Sequence, residues 1–406
     1  MGDDDVHWEI FARLPPQPSF LLRASLVCQR WRRLATDHDF LRRRCPPIIG
    51  VFIPNHHSKP PSFKCLDPPE SIPPEHFALR YENDEPGYED DDIWYFRGCR
   101  HGRLLLLVCS RADPSYRQVL VWDPVIEEER FLYLPPHFEF DNYGHFDNRL
   151  SPSVQGAVLC AAADKGHVHG DCHSSPFKVV LVVADDDGAR ALACVYSSET
   201  DAWGDLITTP VPFKRMFSIG SRTIMVGNSV YWFLFGTQVR ILEFDVDTEK
   251  LSVIEVPSRA YANHRGLYLS TLAEGGAGGL GFIVFSNLTF TAQLWVRKTD
   301  AVGAAEWILG KTIDLDKLFS PIPGLSTHPH MEIGFNGDDN VMFVSAGSSV
   351  FMVHLSSMQF KKIFESNSST DCMVRYMYPF KSSYPAVANK ETVPAAQSQG
   401  SDISME

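Results

Sequence analysis

Leu242-Glu243-Phe244-Asp245-Val246-Asp247-Thr248-Glu249-Lys250-Leu251 reads as one hairpin. Leu242, Phe244 and Val246 alternate with acidic residues, the period of a half-buried strand. A polar run through Thr248 and Glu249 makes the turn, and a second strand returns to Ile254-Glu255-Val256-Pro257. Upstream the unit recurs as Val121-Trp122-Asp123-Pro124 with Arg130-Phe131-Leu132-Tyr133-Leu134-Pro135, and as Val195-Tyr196-Ser197-Ser198-Glu199-Thr200-Asp201-Ala202-Trp203. Downstream it recurs as Gln293-Leu294-Trp295-Val296 with Trp307, and as Val353-His354-Leu355 through Phe360-Lys361-Lys362. Tyr196, Asp245, Trp295 and His354 are separated by 49, 50 and 59 residues. That period matches one four-stranded blade.

From about residue 93 other short runs obey the same rule: Gly102–Val108, Val179–Val183, Ala191–Tyr196, Val230–Phe233 and Gly281–Phe285. Gly, Pro, Asp and Asn bound them, and no long amphipathic helix interrupts them. A β-propeller of five or six blades over 93–385 is the expected fold of the body. A propeller must close its ring. Ile48–Ile53 is expected to pair beside the strands near 372–380. The longer step from Trp122 to Tyr196 predicts an insertion across roughly 137–176. The tail 386–406 lacks periodic apolar residues and is expected to be disordered.

The first 45 residues have another character. Val6, Ile10 and Leu14 fall four apart on one face of a helix that Asp4 or Asp5 can cap. Pro15-Pro16 ends that helix, and Ser19 can cap the next. Leu22 and Leu26 then lie four apart, and Val27, Trp31, Leu34 and Ala35 keep helical positions. Phe40 and Leu41 close the segment. About forty residues is near the lower limit for an independent core, so a protein partner is expected to cover the apolar surface. A Pro-rich and acidic connection, 46–92, follows.

Leu14-Pro15 followed by Ser25-Leu26-Val27-Cys28-Gln29-Arg30-Trp31-Arg32 resembles the F-box family. Asp37-His38-Asp39-Phe40-Leu41-Arg42-Arg43 is similar to the end of that motif in many plant F-box proteins. Gly98-Cys99-Arg100-His101-Gly102-Arg103-Leu104-Leu105 and Val226-Gly227-Asn228-Ser229-Val230-Tyr231-Trp232 are similar to the F-box-associated β-propeller domain of plants. The resemblance implies a small three-helix F-box followed by a propeller. It implies a substrate-recognition subunit of a Skp–cullin–F-box ubiquitin ligase, which positions a bound protein for ubiquitination and is not itself an enzyme. By motif position it implies that Leu14, Pro15, Leu22, Ser25, Leu26, Val27, Cys28 and Trp31 meet the Skp adaptor, and through it a cullin. The family usually opens with a Leu-Pro pair that also contacts the adaptor; Gly2 and Asp3 stand there, which implies a smaller contact. Two alternatives stay open: an adaptor-binding chain with a non-ligase role, and a propeller enzyme with an accessory helical head.

Composition bounds the partners. The chain carries a net charge of −13. Residues 1–45 hold eight Arg against six Asp or Glu, so the remaining 29 basic and 44 acidic residues carry −15. Such a body argues against nucleic-acid binding, which rests on phosphate neutralisation. No apolar run approaches the roughly 18 residues that span a bilayer, and Asp3-Asp4-Asp5 is unlike a signal sequence. Nine cysteines without a CxxC pair fit reduced thiols in the cytoplasm or nucleus.

A search for catalytic chemistry yields little. Gly310-Lys311-Thr312 lacks the Gly five positions earlier that a phosphate loop needs, since Ala305 stands there. Gly275–Gly279 reads as a flexible turn, and Asp90-Asp91-Asp92 as a solvated run. No Gly-x-Ser-x-Gly elbow occurs. His167, His169, Asp171, Cys172 and His173 are rich in ligand atoms but lack a second cluster that would complete a zinc site, so neither metal nor cofactor is expected. Phe138, Phe140, Tyr143 and Phe146 punctuate an acidic loop and are candidate substrate anchors, or else pack over the propeller rim.

Overall fold

The computed structural model describes residues 24, 26–35, 48–55, 59–66, 77–79, 92–110, 117–138, 154–162, 172–173, 175–185, 189–212, 218–261, 266–271, 279–286, 289–299, 304–320, 332–346, 349–355, 357–365 and 376–381. The chain divides into two units, Met1–Pro47 with Ser383–Glu406, and Ile48–Ser382.

In the first unit the backbone is helical at Ala24, Leu26 and Val27, and a helix α1 spans Gln29–Ala35. Cys28 heads α1. The Trp31 N–H donates to Cys28 Sγ at 3.4 Å, satisfying one of the amides that a helix start leaves open. Arg32 and Arg33 in the last turn complement the helix dipole. The expected helix over Val6–Leu14, its stop at Pro15-Pro16, the Ser19 cap and the closing Phe40 and Leu41 lie outside the described residues. So does the tail 386–406.

The second unit is a propeller of six antiparallel sheets. The first blade is β3 (Asp92–Arg100), β4 (Arg103–Ser110), β5 (Arg117–Asp123) and β6 (Glu128–Tyr133). The second is β7 (Gln155–Cys160), β8 (Phe177–Ala184), β9 (Arg190–Ser197) and β10 (Ala202–Trp203), with β11 (Ile207–Pro210) also on β9. The third is β12 (Ser218–Val226), β13 (Ser229–Phe235), β14 (Val239–Asp245) and β15 (Lys250–Glu255). The fourth is β16 (Gly266–Ser270), β17 (Gly281–Ser286), β18 (Thr291–Thr299) and β19 (Ala305–Asp314), followed by the short helix α2 (Leu315–Phe319). The fifth is β20 (Glu332–Asn336), β21 (Val341–Ala346), β22 (Ser349–His354) and β23 (Gln359–Glu365).

The sixth sheet joins the two ends of the ring. β1 (Ile48–Ile53) lies between β2 (Ser62–Cys65) and β24 (Tyr378–Lys381). Phe52 pairs with Tyr378 and Gly50 with Phe380, the closure expected from the sequence. β1 and β2 both come from the 46–92 stretch, so part of that stretch belongs to the ring.

The repeated sequence unit is the outer hairpin of five blades: β5–β6, β9–β10, β14–β15, β18–β19 and β22–β23. Four of these turns place a non-glycine residue at positive φ: Glu127 (55°), Asp201 (52°), Glu249 (50°) and Met358 (56°). A type I turn closed by one left-handed residue is a common way to join twisted strands. In β14–β15 Asp245 holds the turn. Its Oδ1 accepts from the Thr248 N–H at 2.7 Å and the Thr248 hydroxyl at 2.8 Å. These bonds hold the Asp245 carboxyl below the usual range, the backbone donor contributing most.

Core forms between blades. Val158, Val179, Leu181 and Cys194 of the second blade meet Leu105, Leu107, Val119 and Val121 of the first. Trp232 and Phe244 of the third meet Val180 and Val182 of the second, and Phe282 and Trp295 of the fourth meet Phe233 and Ile241. Phe335 and Met342 of the fifth meet Ile283 and Phe285. At the seam between the sixth and first blades, Phe52 packs 5.7 Å from Trp122 and 6.3 Å from Phe96.

Two expectations change, and the glycine of Gly310-Lys311-Thr312, already read as no phosphate loop, finds its structural role. The region read as an insertion contains β7, the inner strand of the second blade. Its apolar core Ala157-Val158-Leu159 is too short to stand out between polar loops. Gly310-Lys311-Thr312 lies within β19, where Leu309 and Lys311 pair with Trp295 and Leu294 and Gly310 is the extra residue. The glycine serves a β-bulge, not a phosphate. Phe138 is fully buried and belongs to the core between the first two blades, so its ring is not available to a substrate. Phe140, Tyr143 and Phe146 lie outside the described residues.

Candidate functional site

The first candidate surface is on the helical head. Leu26 is 70% exposed and Val27 63%, although both are aliphatic. Cys28 is exposed as well, Trp31 and Leu34 are half-buried, and Ala24 is buried. Adjacent aliphatic side chains in water are a standing cost of roughly 25 cal/mol for each Å² left uncovered. Leu14, Pro15 and Leu22 lie outside the described residues, and so does Ser25. Leu26, Val27, Cys28 and Trp31 are therefore the adaptor candidates whose surroundings are known.

The second is the central channel. The inner strands are β3, β7, β12, β16, β20 and β24. The space between them is small and open to solvent at its mouth. Cys99 and Arg100 reach it from β3, Ala157 from β7, Arg222 and Thr223 from β12, and Tyr268 from β16. Phe335 to Asp338 reach it from the end of β20, and Tyr378 from β24. Arg100 ion-pairs with Asp338, whose second oxygen accepts from the Met225 N–H at 2.8 Å. Lys381 ion-pairs with Asp339, whose carboxyl is pushed up by burial and pulled back by that Lys. Gly337 sits where a Cβ would stand 2.0 Å from the Leu269 carbonyl oxygen, so only glycine lets the β20–β21 turn approach β16.

Further along the channel the Arg222 guanidinium stands 5.0 Å over the Tyr378 ring and donates to the Met377 carbonyl at 3.3 Å. Tyr378 is stacked on Phe96 at 4.1 Å. Arg97, 4% exposed, lies 5.2 Å over the Tyr95 ring, and burial lowers its pKa to about 10. Burial also raises the Tyr378 phenol, while Arg222 and Arg97 both pull it down. Cys99 and Arg100 fall within the quoted stretch 98–105, but none of these residues was placed in a channel from the sequence. The available signal was a lone Arg inside the strand Ser218–Val226.

The third is a buried polar cluster. His173 was a metal candidate; its Nδ1 lies 2.8 and 2.9 Å from the two carboxylate oxygens of Asp123. Arg103 donates to the carbonyls of His173 and Ser175, both at 2.8 Å, and its Nε lies 3.7 Å from Asp123. The cluster fastens the β7–β8 connection to the first blade. Among the described residues no group of three metal-ligating side chains converges, and His167, His169 and Asp171 lie outside them. No helix among the described residues is long and apolar enough to cross a membrane.

Several solved structures show a weak likeness to this chain. The alpha-L-arabinanase of Penicillium chrysogenum complexed with arabinobiose is 12% identical, with a TM-score of 0.34 over 66% of this chain and 79% of that one. The six-bladed lectin of Aleuria aurantia is also 12% identical, with a TM-score of 0.34 over 68% and 77%. Dipeptidyl peptidase 4 of Porphyromonas gingivalis is 9% identical, with a TM-score of 0.29 over 82% of this chain and 60% of that one. Likenesses at this level carry no argument about function. No curated protein matches the sequence. Residues 4–46 match the F-box-like family, and residues 95–387 match the family described as F-box protein AT5G49610-like, beta-propeller. With an F-box-like head and most of its length in that second match, the chain belongs to the AT5G49610-like F-box proteins with a β-propeller.

Proposed function

We propose that this chain is the substrate-recognition subunit of a Skp–cullin–F-box ubiquitin ligase, working in the cytoplasm or nucleus. Leu26, Val27, Cys28 and Trp31, together with Leu14, Pro15, Leu22 and Ser25, dock the Skp adaptor, and the propeller holds the protein to be modified. The observation that carries the reading is the pair Leu26 and Val27, 70% and 63% exposed inside the segment that matches the F-box-like family. A buried partner would remove that apolar area from water. Trp31 is half-buried, which suits packing within the head as well as contact with the partner.

In this role the chain makes and breaks no bond. It raises the effective concentration of a substrate lysine beside the charged conjugating enzyme, which requires two rigid surfaces. A ring of six sheets closed by its own ends supplies one of them.

Co-expression with a Skp-family adaptor tests the reading. The full chain is expected to co-purify with the adaptor. Leu26→Asp combined with Val27→Asp is expected to weaken capture by several hundredfold, since each buried anchor is worth about 2 kcal/mol, or about thirtyfold. A wild-type chain that retains no adaptor refutes the proposal. Recovery of adaptor without cullin replaces it with a non-ligase role.

A further inference from the structure

β24 is four residues long, and among the described residues it hydrogen-bonds to one strand, β1. The other inner strands are each followed in the chain by the strand they pair with. β24 meets its partner from the far end of the sequence, Tyr378 against Phe52. Closing so long a loop costs entropy, and no hairpin turn holds the two strands in register. One end of β24 is held by aromatic contacts: Tyr378 stacks on Phe96, and the Arg222 guanidinium lies over its ring. The other end is held by charge, through Lys381 and Asp339.

Asp339 belongs to the turn between β20 and β21, and its neighbours tie that turn to three more blades. Asp338 ion-pairs with Arg100 of the first blade and accepts from the Met225 N–H of the third at 2.8 Å. Asn340 accepts from the Ser270 hydroxyl of the fourth blade and donates to the Thr271 hydroxyl, both at 2.9 Å. The Thr271 N–H and hydroxyl return to the Gly337 carbonyl at 3.2 and 3.0 Å. Within the turn Asn336 Oδ1 accepts from the Asp339 N–H at 3.0 Å, and Asn340 takes the left-handed conformation at a φ of 52°. Asn336, Gly337 and Asp338 line the small space on the axis, so these bonds are made inside the ring. Contacts that share one short, internally bonded turn are coupled: displacing Asp338 or Asn340 moves Asp339 as well. We propose that the β20–β21 turn is an axial latch, through which the first, third and fourth blades hold the terminal strand β24 in the ring. Releasing the turn from any of these blades opens the seam between β1 and β24 before the rest of the propeller unfolds.

Residue-resolved hydrogen exchange on the full chain tests the latch. In the wild type the amides of β24 are expected to exchange together with those of Met225 and Thr271, which are bonded to the turn, and with a common dependence on urea. Two variants loosen the turn from other blades. Asp338→Asn removes the charge opposite Arg100, and Asn340→Gly removes the bonds to Ser270 and Thr271 while suiting the positive φ. Each is expected to speed exchange in Ile48–Ile53 and Tyr378–Lys381 by about tenfold or more, the effect of one charge-assisted or two neutral hydrogen bonds. Exchange in Val239–Asp245 of the third blade is expected to stay at the wild-type rate. A seam that exchanges at the wild-type rate in both variants overturns the proposal. Equal acceleration at Val239–Asp245 also overturns it, because that marks a general loss of stability. Met225 and Thr271 exchanging independently of β24 in the wild type overturns it whether or not either variant folds.

Discussion

Asp123→Asn should destabilise the propeller far more than its near-identical shape suggests. Asp123 is 2% exposed, Arg103 3% and His173 4%. The carboxylate accepts from His173 Nδ1 at 2.8 Å and from the Val125 N–H at 3.2 Å, and faces Arg103 Nε at 3.7 Å. The amide of Asn can still accept from His173. It removes the charge opposite Arg103 and turns an N–H₂ toward another donor. Breaking a buried ion pair by removing one partner costs about 3–5 kcal/mol. The lower end applies, because Arg103 keeps the carbonyls of His173 and Ser175 and the Phe177 ring 5.0 Å away. With an m-value of about 3 kcal/mol/M, a loss of about 3 kcal/mol lowers the urea midpoint by about 1 M. Arg103→Met should cost a similar amount, and the double variant should fall short of the sum by about 1.5 kcal/mol or more. A midpoint within about 0.2 M of wild type, or strictly additive variants, would refute the reasoning.

Other perturbations test other parts. Gly337→Ala must displace backbone, because its Cβ would stand 2.0 Å from the Leu269 carbonyl oxygen; a steep loss of soluble protein on expression is expected. Trp232→Ala empties a fully buried site between the second and third blades and should cost about 3–5 kcal/mol in urea unfolding. Asp245 should titrate below an ordinary aspartate when its carboxyl carbon is followed by NMR, and Thr248→Val should move the midpoint partway back up. Because the folded-state pKa is lowered, the stabilisation from Asp245 is present above the unfolded-state pKa and is lost as pH falls through the folded-state value.

The outer hairpins were readable because they combine alternation with a polar turn, as in Leu242–Leu251, and because the pattern returns after about fifty residues. The ring closure was readable because Ile48–Ile53 is an apolar run without a local partner. The inner strands were harder. β12 reads Ser-Ile-Gly-Ser-Arg-Thr-Ile-Met-Val, with a register shift between Ile219 and Thr223 that breaks the alternation. β16 has five residues, and neither carries the period that marks a strand. The channel was therefore invisible, since its chemistry depends on which residues six distant strands turn toward one axis. His173 stood out for its ligand atoms, but its partner lies 50 residues away and could not be assigned from spacing. Phe138 looked like a presented aromatic because a single sequence cannot distinguish a loop residue from one folded back under a blade.

Among the described residues β24 is the innermost strand of its sheet and the most C-terminal strand of the ring, yet it pairs with the most N-terminal one. A ribosome releases Tyr378 only after the other five blades have emerged, so the circle is left open throughout translation. Until then Phe52 lacks its contact with Phe380, and β1 presents a bare edge to the crowded cell. A nonsense codon anywhere before Tyr378 would thus disable the whole ring rather than trim its end, and nascent chains should depend on chaperones for longest at this one junction.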